Sequence, residues 1–320
     1  MTQSVNASSG LVFAVDLGGT HLRVALVDRS GKIHTLLKRH TPKDDSPLVL
    51  VEALANAADE WRRADYGPII AASVMVPGAV DSGQAVVLSA PNLPSLINFG
   101  LKAVLQERLG LPVVLENDAN AAAMGEMWLG AARGCRDVVS VTLGTGVGGG
   151  IVLGGRVWRG AHGAAGEIGH TTVDPFSGLK CKCGNTGCLE LFASATAIVR
   201  MARESLAQFP QAALSSDDLT AEKVYDAGRE GDELALSVFK RAGKYLGIGL
   251  ASLMSVIDPE IIVINGGVVN GWDLFAPDMY QEISERAFQA TAQQVKIARA
   301  ECGDNAGLLG AARLAFDEME

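Results

Sequence analysis

Short apolar runs broken by glycine turns open the chain: LVFAVD (residues 11–16), HLRVALVD (21–28) and KIHTLLKRH (32–40) are separated by LGGT and RSG. Runs of that length between turn residues predict a hairpin-linked sheet. The period then changes. Over residues 48–66, Val51, Leu54, Ala58 and Trp61 recur at helical spacing, with Pro47 suited to the first turn and Gly67-Pro68 as the stop. IIAASVMV (69–76) is continuously apolar, as a parallel strand buried on both faces must be, and Pro77-Gly78 ends it.

The second half repeats the theme. DVVSVTLG (137–144), GGGIVLGG (148–155) and GRVWRG (155–160) give apolar strands around glycine turns, so two lobes with similar strand-turn-strand openings are expected. Residues 232–257 read as a long helix, 261–267 as a buried strand and 308–319 as a closing helix. Pro, Ser and Asp concentrate at residues 208–220, which predicts an exposed loop.

Composition narrows the class. The chain has 320 residues, 48% of them hydrophobic, enough for a large core in about two domains. Residues 1–10 are polar and without side-chain charge, unlike a secretory leader, and read as a loose tail. Every long apolar stretch is interrupted before it could span a bilayer. A soluble, cytoplasmic protein without membrane contact is expected. With 27 basic and 36 acidic residues, the formal charge of −9 disfavours nucleic acid as a partner. Three of the five cysteines cluster within eight positions, which suggests a metal rather than a secreted disulfide framework.

Three glycine-rich turns stand at strand ends. Asp16-Leu17-Gly18-Gly19-Thr20 allows a tight turn with amide groups aimed at an anion, although Gly-Gly is equally a hairpin signal. The run 144–150 holds five glycines in seven positions, Gly144, Thr145 and Gly146 leading, more than a simple turn needs. Gly266-Gly267 follows IIVIN. None fits the Walker or Rossmann patterns, and a polyphosphate held between two lobes fits better.

LENDAN (115–120) joins the strand PVVL to an alanine-rich helix. Asn117 or Asp118 can cap that helix, and a strand end meeting a helix start is also where open α/β sheets bind ligands. Gly78 in VPGAVD and Asn92 in SAPNLP are further pocket candidates, or plain loop residues. The last motif is GEIGH (166–170) followed by CKCGNTGCLE (181–190). One histidine and three cysteines, His170, Cys181, Cys183 and Cys188, make a Cys3His set suited to a closed tetrahedral Zn2+ site.

DLGGT, LGTGVGGG and INGGV together resemble the acetate and sugar kinase, Hsc70 and actin superfamily. GEIGH with C-x-C-G-x-x-G-C-x-E closely resembles the ROK family, over nearly the whole chain. The resemblance implies an α/β protein of two ribonuclease H-like lobes, the actin-like ATPase fold, with an ATP and sugar cleft between them. The lobes are drawn at residues 1–118 plus 305–320, small and N-terminal, and 119–304, larger and carrying the zinc loop. It further implies that Asp16 holds Mg2+ through water and that Gly18, Gly19, Thr20, Gly144, Thr145 and Gly146 meet the phosphates. Gly266 and Gly267 would border the adenosine. Asp118 would be the general base, and Gly78, Asn92, Asn117, Glu167, His170 and Glu190 would contact the sugar, His170 also ligating a structural zinc. The expected activity is ATP-dependent phosphorylation of a hexose, glucose first, by a homodimer. A kinase for N-acetylmannosamine, fructose or allose is the nearest alternative, and a non-enzymatic sugar-sensing regulator the alternative of another class. The regulator is disfavoured by Asp118 and by the few residues ahead of the first strand, too few for a helix-turn-helix.

Overall fold

The computed structural model describes residues 10–42, 44, 46–81, 86–90 and 92–320. But for Gly10, the polar tail expected at residues 1–10 lies outside them. The chain forms two compact units, one of Met1–Arg136, Gly150–Ala165 and Glu301–Glu320, the other of Asp137–Gly149 and Gly166–Ala300.

In the first unit, β1 (Leu11–Leu17), β2 (His21–Val27) and β3 (Ile33–His40) form the expected meander. Helix α1 (Pro47–Arg63) leads to β4 (Ile69–Val76), and a hairpin of β5 (Val80–Asp81) and β6 (Val86–Val87) precedes α2 (Leu101–Leu109) and β7 (Val113–Asn117). The sheet order is β3-β2-β1-β4-β7, with β4 parallel to both β1 and β7. The uninterrupted apolar reading of β1 and β4 has its cause here, since both strands are almost wholly buried. Phe13, Leu26, Leu54, Leu101 and Leu105 fill the core, each large side chain worth about 1.5–3 kcal/mol in burial. Helix α1 ends at Arg63 rather than at residue 66, because Asp65 takes a left-handed φ of 54°.

Helix α3 (Asp118–Leu129) follows β7 without a loop, and the chain continues through β8 (Val138–Leu143), β9 (Val147–Leu153) and β10 (Arg156–Val157). Helices α4 (Glu190–Ala193), α5 (Ala195–Ser205), α6 (Ala221–Arg229) and α7 (Glu233–Ile257) come next. Then follow β11 (Ile261–Asn265), α8 (Trp272–Arg286), α9 (Gln289–Ala292), β12 (Lys296–Arg299) and α10 (Ala306–Glu318). The second sheet runs β10-β9-β8-β11-β12, with β11 parallel to β8 and β12. Its order repeats that of the first sheet when β8 is matched to β1. That duplication is the ribonuclease H-like pattern, and each copy places a glycine turn after its central strand. After a short 3-10 turn at Leu206–Gln208, residues 209–220 are irregular apart from a second one at Ser216–Asp218, close to the loop expected at 208–220.

The compact units draw their line elsewhere than after Asp118. Helix α3 belongs to the first unit because α10 packs along it backbone to backbone. Gly310 makes this possible: a Cβ there would stand 1.6 Å from the carbonyl oxygen of Ala121. Gly243 does the same for α7 against α8 in the second unit, 2.1 Å from the carbonyl of Phe275. No helix among the described residues is long and apolar enough to cross a membrane.

Candidate active site

Residues 18–20 connect β1 to β2. The Gly18 amide donates to the His21 carbonyl at 2.9 Å, and Thr41 fastens the turn from outside, its hydroxyl donating to the Gly18 carbonyl at 2.6 Å and its amide to the Thr20 carbonyl at 2.9 Å. At residue 19 only glycine fits, since a Cβ would lie 2.5 Å from the Cβ of Asn92. The structure thus sets Asn92, a predicted sugar contact, against the predicted phosphate turn. Asp16, the penultimate residue of β1, stands two positions before Gly18. Burial pushes its carboxyl above the usual range, the Arg23 guanidinium at 3.7 Å works against that rise, and Asp304 adds to it. A position that penalises a bare carboxylate gains from a divalent cation.

The junction of β7 and α3 gathers more predicted residues. Asn117 caps α3, its Oδ1 accepting from the Asn120 amide at 3.0 Å, while its Nδ2 donates to the Gly78 carbonyl at 2.9 Å and to Asp118 Oδ1 at 3.1 Å. Capping uses only Asn117 Oδ1, which leaves its Nδ2 to hold Gly78 and Asp118. Asp118 Oδ1 also accepts from the Ala119 amide at 2.9 Å, which fixes the carboxylate in the first turn of the helix. Gly78, with φ 125°, is packed so closely that a Cβ would meet the Ser89 carbonyl oxygen at 1.9 Å.

The run 144–150 divides. Only residues 144–146 form the turn between β8 and β9, whereas Gly148, Gly149 and Gly150 lie within β9. Those last glycines serve packing: a Cβ at 149 would lie 2.6 Å from the Gly166 carbonyl oxygen, and one at 150 would lie 2.5 Å from that of Ala119. The turn itself is bolted to the helices beside it. The Ala195 amide donates to the Gly144 carbonyl at 2.8 Å, the Thr196 hydroxyl to the Thr145 carbonyl at 2.7 Å, and the Val147 amide to Glu190 Oε2 at 3.2 Å. Glu190 thus lies directly over Gly146, where a Cβ would come within 2.1 Å of its carboxylate. Gly266, at φ 91°, abuts the Leu143 carbonyl at the head of the same turn. Beside Thr145 opens a groove of about 410 Å³ lined by Thr196, Val199, Arg203, Leu219 and Thr220 among others.

His170, Cys181, Cys183 and Cys188 bring their donor atoms within 4.8 Å of one another. His170 Nδ1 is 3.6 Å from Cys181 Sγ, and Cys183 Sγ is 3.7 Å from Cys188 Sγ. Ligands at about 2.3 Å from a tetrahedral Zn2+ would be spaced by roughly 3.8 Å, so the donor set fits such an ion. Two of the thiols are tuned in opposite directions: the Asn185 amide and the Cys181 thiol favour the Cys183 thiolate, while burial pushes Cys188 up to about 12. A divalent cation is the natural way to hold all three ionised. His170 Nε2 faces the other way, 3.9 Å from Glu167 Oε2. The segment between His170 and Cys181 is anchored by Asp174, which accepts from the Tyr245 hydroxyl at 2.7 Å.

The family described as ROK matches residues 12–318. The chain belongs to the ROK family. Among curated relatives, the glucokinase of Halalkalibacterium halodurans is 38% identical over 304 residues, covering 92% of each chain. Among solved structures, the ROK hexokinase of Thermus thermophilus superposes with a TM-score of 0.82 at 35% identity, over 97% of this chain and 99% of that one. A ROK glucokinase from Streptomyces griseus, solved with glucose and AMPPNP, gives a TM-score of 0.78 at 36% identity, over 95% and 99%. The Bacillus subtilis xylose repressor is also similar, at 29% identity over 98% of this chain and 79% of its own length. The fold is therefore the actin-like ATPase fold of ROK kinases.

Sequence reading of this ROK chain missed three groups. Glu116 accepts from Arg159 and stands immediately before Asn117, Arg23 pairs with Asp16, and the Val199, Arg203 and Leu219 groove adjoins Thr145. For Glu116 a signal existed, since a charged residue near the end of an otherwise apolar strand must be paired when buried. Arg159 gave none, because its partner lies 43 residues away.

Proposed function

We propose that this protein, an ATP-dependent sugar kinase of the ROK family, transfers the terminal phosphate of ATP to glucose, giving glucose 6-phosphate, with Asp118 as general base. The observation that carries the reading is the β7–α3 junction. There Asp118 is held through Oδ1 by the Ala119 amide and by Asn117, which is in turn fixed on Gly78. Phosphoryl transfer needs the acceptor hydroxyl oriented and its proton accepted, and a carboxylate immobilised in this way can do both. Asn117, Asn92, Gly78, Glu167, His170 and Glu190 are the proposed sugar contacts. The turns at 18–20 and 144–146 are the proposed phosphate contacts, with Gly266, Gly267 and the groove beside Thr145 for the nucleoside. Mg2+, supplied with ATP and neutralising phosphate charge, would be held near Asp16. The Cys3His cluster would hold one zinc ion with no open position, so that its role is structural and His170 is oriented by it.

Glucose is favoured as acceptor by the glucokinase relative and by the Streptomyces griseus enzyme solved with glucose. A coupled ADP assay on glucose, N-acetylmannosamine, fructose, allose, mannose and xylose tests it. The expected result is the highest kcat/KM with glucose. Another sugar preferred by tenfold would reassign the substrate, and no ADP release with any of them would replace the kinase by a sugar-sensing regulator.

A further inference from the structure

We infer that Arg159 is a positioning residue for Asp118, acting through the buried carboxylate of Glu116; this rests on the reading of Asp118 as the base. Glu116 is the penultimate residue of β7 and is only 2% exposed. An ionised carboxylate removed from water must be paired. Its two oxygens divide the work. Oε2 accepts from Arg159 Nε at 2.7 Å and Nη2 at 2.5 Å, whereas Oε1 accepts from the Asn117 amide and from Asn120 Nδ2, both at 3.0 Å. The guanidinium thus fixes one oxygen, and the other grips the first turn of α3, the turn that carries Asp118.

Asn120 shows that this grip has a cost the protein sustains. Its Oδ1 is buried without a hydrogen-bond partner. Leaving a buried acceptor unsatisfied is unfavourable, and turning the amide round would satisfy nothing, since its oxygen would then face the oxygens of Glu116. The amide is oriented for the donation to Glu116. Without Arg159, Glu116 would lose its ionic partner and turn toward water. Oε1 would then no longer be held as a double acceptor, and the Asn117–Asp118 corner would loosen. Proton abstraction from a bound hydroxyl is sensitive to such misplacement, while nucleotide binding at the other turns is not.

The competing view is that the pair only fastens the loop at residues 158–165, where the Ala165 amide donates to the Arg159 carbonyl at 3.1 Å. Full-length Arg159→Met, Arg159→Lys, Glu116→Gln and the double variant Glu116→Gln/Arg159→Met separate the two. Positioning predicts that Arg159→Met lowers kcat by about 10–100-fold with the ATP KM within about twofold, and that Arg159→Lys recovers part of the loss. The double variant removes the stranded charge, so its Tm should return toward wild type while kcat stays low. Recovery of kcat together with Tm in the double variant, or a folded Arg159→Met within about threefold of wild-type kcat, overturns the inference. Hydrogen exchange over residues 116–120 gives a readout independent of substrate. It should quicken in Arg159→Met, and unchanged protection there overturns the inference even if the wild-type protein turned out to phosphorylate no sugar, an outcome that would sink the kinase reading instead.

Discussion

The corner at Asn117–Asp118 and the cluster at His170–Cys188 hold their polar groups by opposite means. In the corner the polypeptide supplies the partners: backbone amides, the Gly78 carbonyl, and an ion pair at Glu116 whose charge is matched within the first compact unit. In the cluster it gathers three thiols and an imidazole whose donor atoms lie within 4.8 Å of one another, a set that could hold a metal ion. The first can be organised as soon as the chain folds. The second should be organised only when loaded, so damage to each should show differently.

Asp118→Asn breaks the corner at its chemical end with the largest expected effect. The amide keeps the hydrogen bonds that orient it but cannot take a proton, so kcat should fall about 10²–10⁴-fold with sugar binding and Tm nearly unchanged. A loss smaller than about tenfold would remove Asp118 from the role of base.

On the cluster side, Cys183→Ser or strong chelation should act through stability and binding. Elemental analysis of the untreated protein should give about one zinc per chain. Loss of the metal should lower Tm and raise the sugar KM by about 10-fold or more, with a smaller change in the ATP KM, because His170 carries its ring between the thiols and Glu167. A metal-free preparation with unaltered sugar affinity would show that the cluster stiffens the segment without serving the site.

Asp16 tests whether the first unit is as self-sufficient as the corner suggests. Burial, the chief cause, holds its folded-state carboxyl above the ordinary carboxylate range. Relative to the unfolded chain, the native state therefore shifts toward the protonated form. That contribution is fully present below the unfolded value and is lost as pH rises through the raised folded one, leaving a charge penalty at neutrality. Asp16→Asn should accordingly raise Tm relative to wild type more at pH 7 than at pH 3.5, by a few degrees, while impairing turnover. A Tm difference independent of pH between the two would show that Arg23 already offsets the burial.

Much of this was legible in the sequence because the signals were local. Strand β4 announced itself as an unbroken apolar run, α7 by its period, and the cluster by four donors within nineteen positions. What escaped depended on distance. The run 144–150 looked uniform, yet residues 144–146 turn while Gly149 and Gly150 make room for the carbonyls of Gly166 and Ala119, remote in sequence. The lobe boundary was placed at a change of element, whereas α3 is claimed by a helix nearly 190 positions later through the contact at Gly310. Arg159 and Glu116 belong to the same class, since each is ordinary until the fold brings them together.

The smallest expected effect measures how far the cluster is held by polypeptide after all. Tyr245 donates its hydroxyl to Asp174 at 2.7 Å and stacks on Phe192 with ring centroids 3.9 Å apart. Asp174 in turn orders the chain on the way to Cys181, its amide donating to the Gly187 carbonyl at 3.2 Å next to Cys188. Tyr245→Phe deletes the hydroxyl and keeps the stacking ring, so only the tie to the segment is lost. A side-chain hydrogen bond of this kind contributes about 0.5–1.5 kcal/mol net. If zinc alone shapes the segment, the loaded variant should lose almost none of that, and the chelated variant should lose no more than chelated wild type. If the tie contributes independently, the loss should appear in both states, and zinc should leave the variant a few times faster in a competition with a coloured chelator. The second outcome is expected, because Asp174 contacts α7 through Tyr245 at a point the ligands do not touch. Equal zinc release rates together with an equal Tm would place the whole burden on the ion and make the contrast with the Asp118 corner complete.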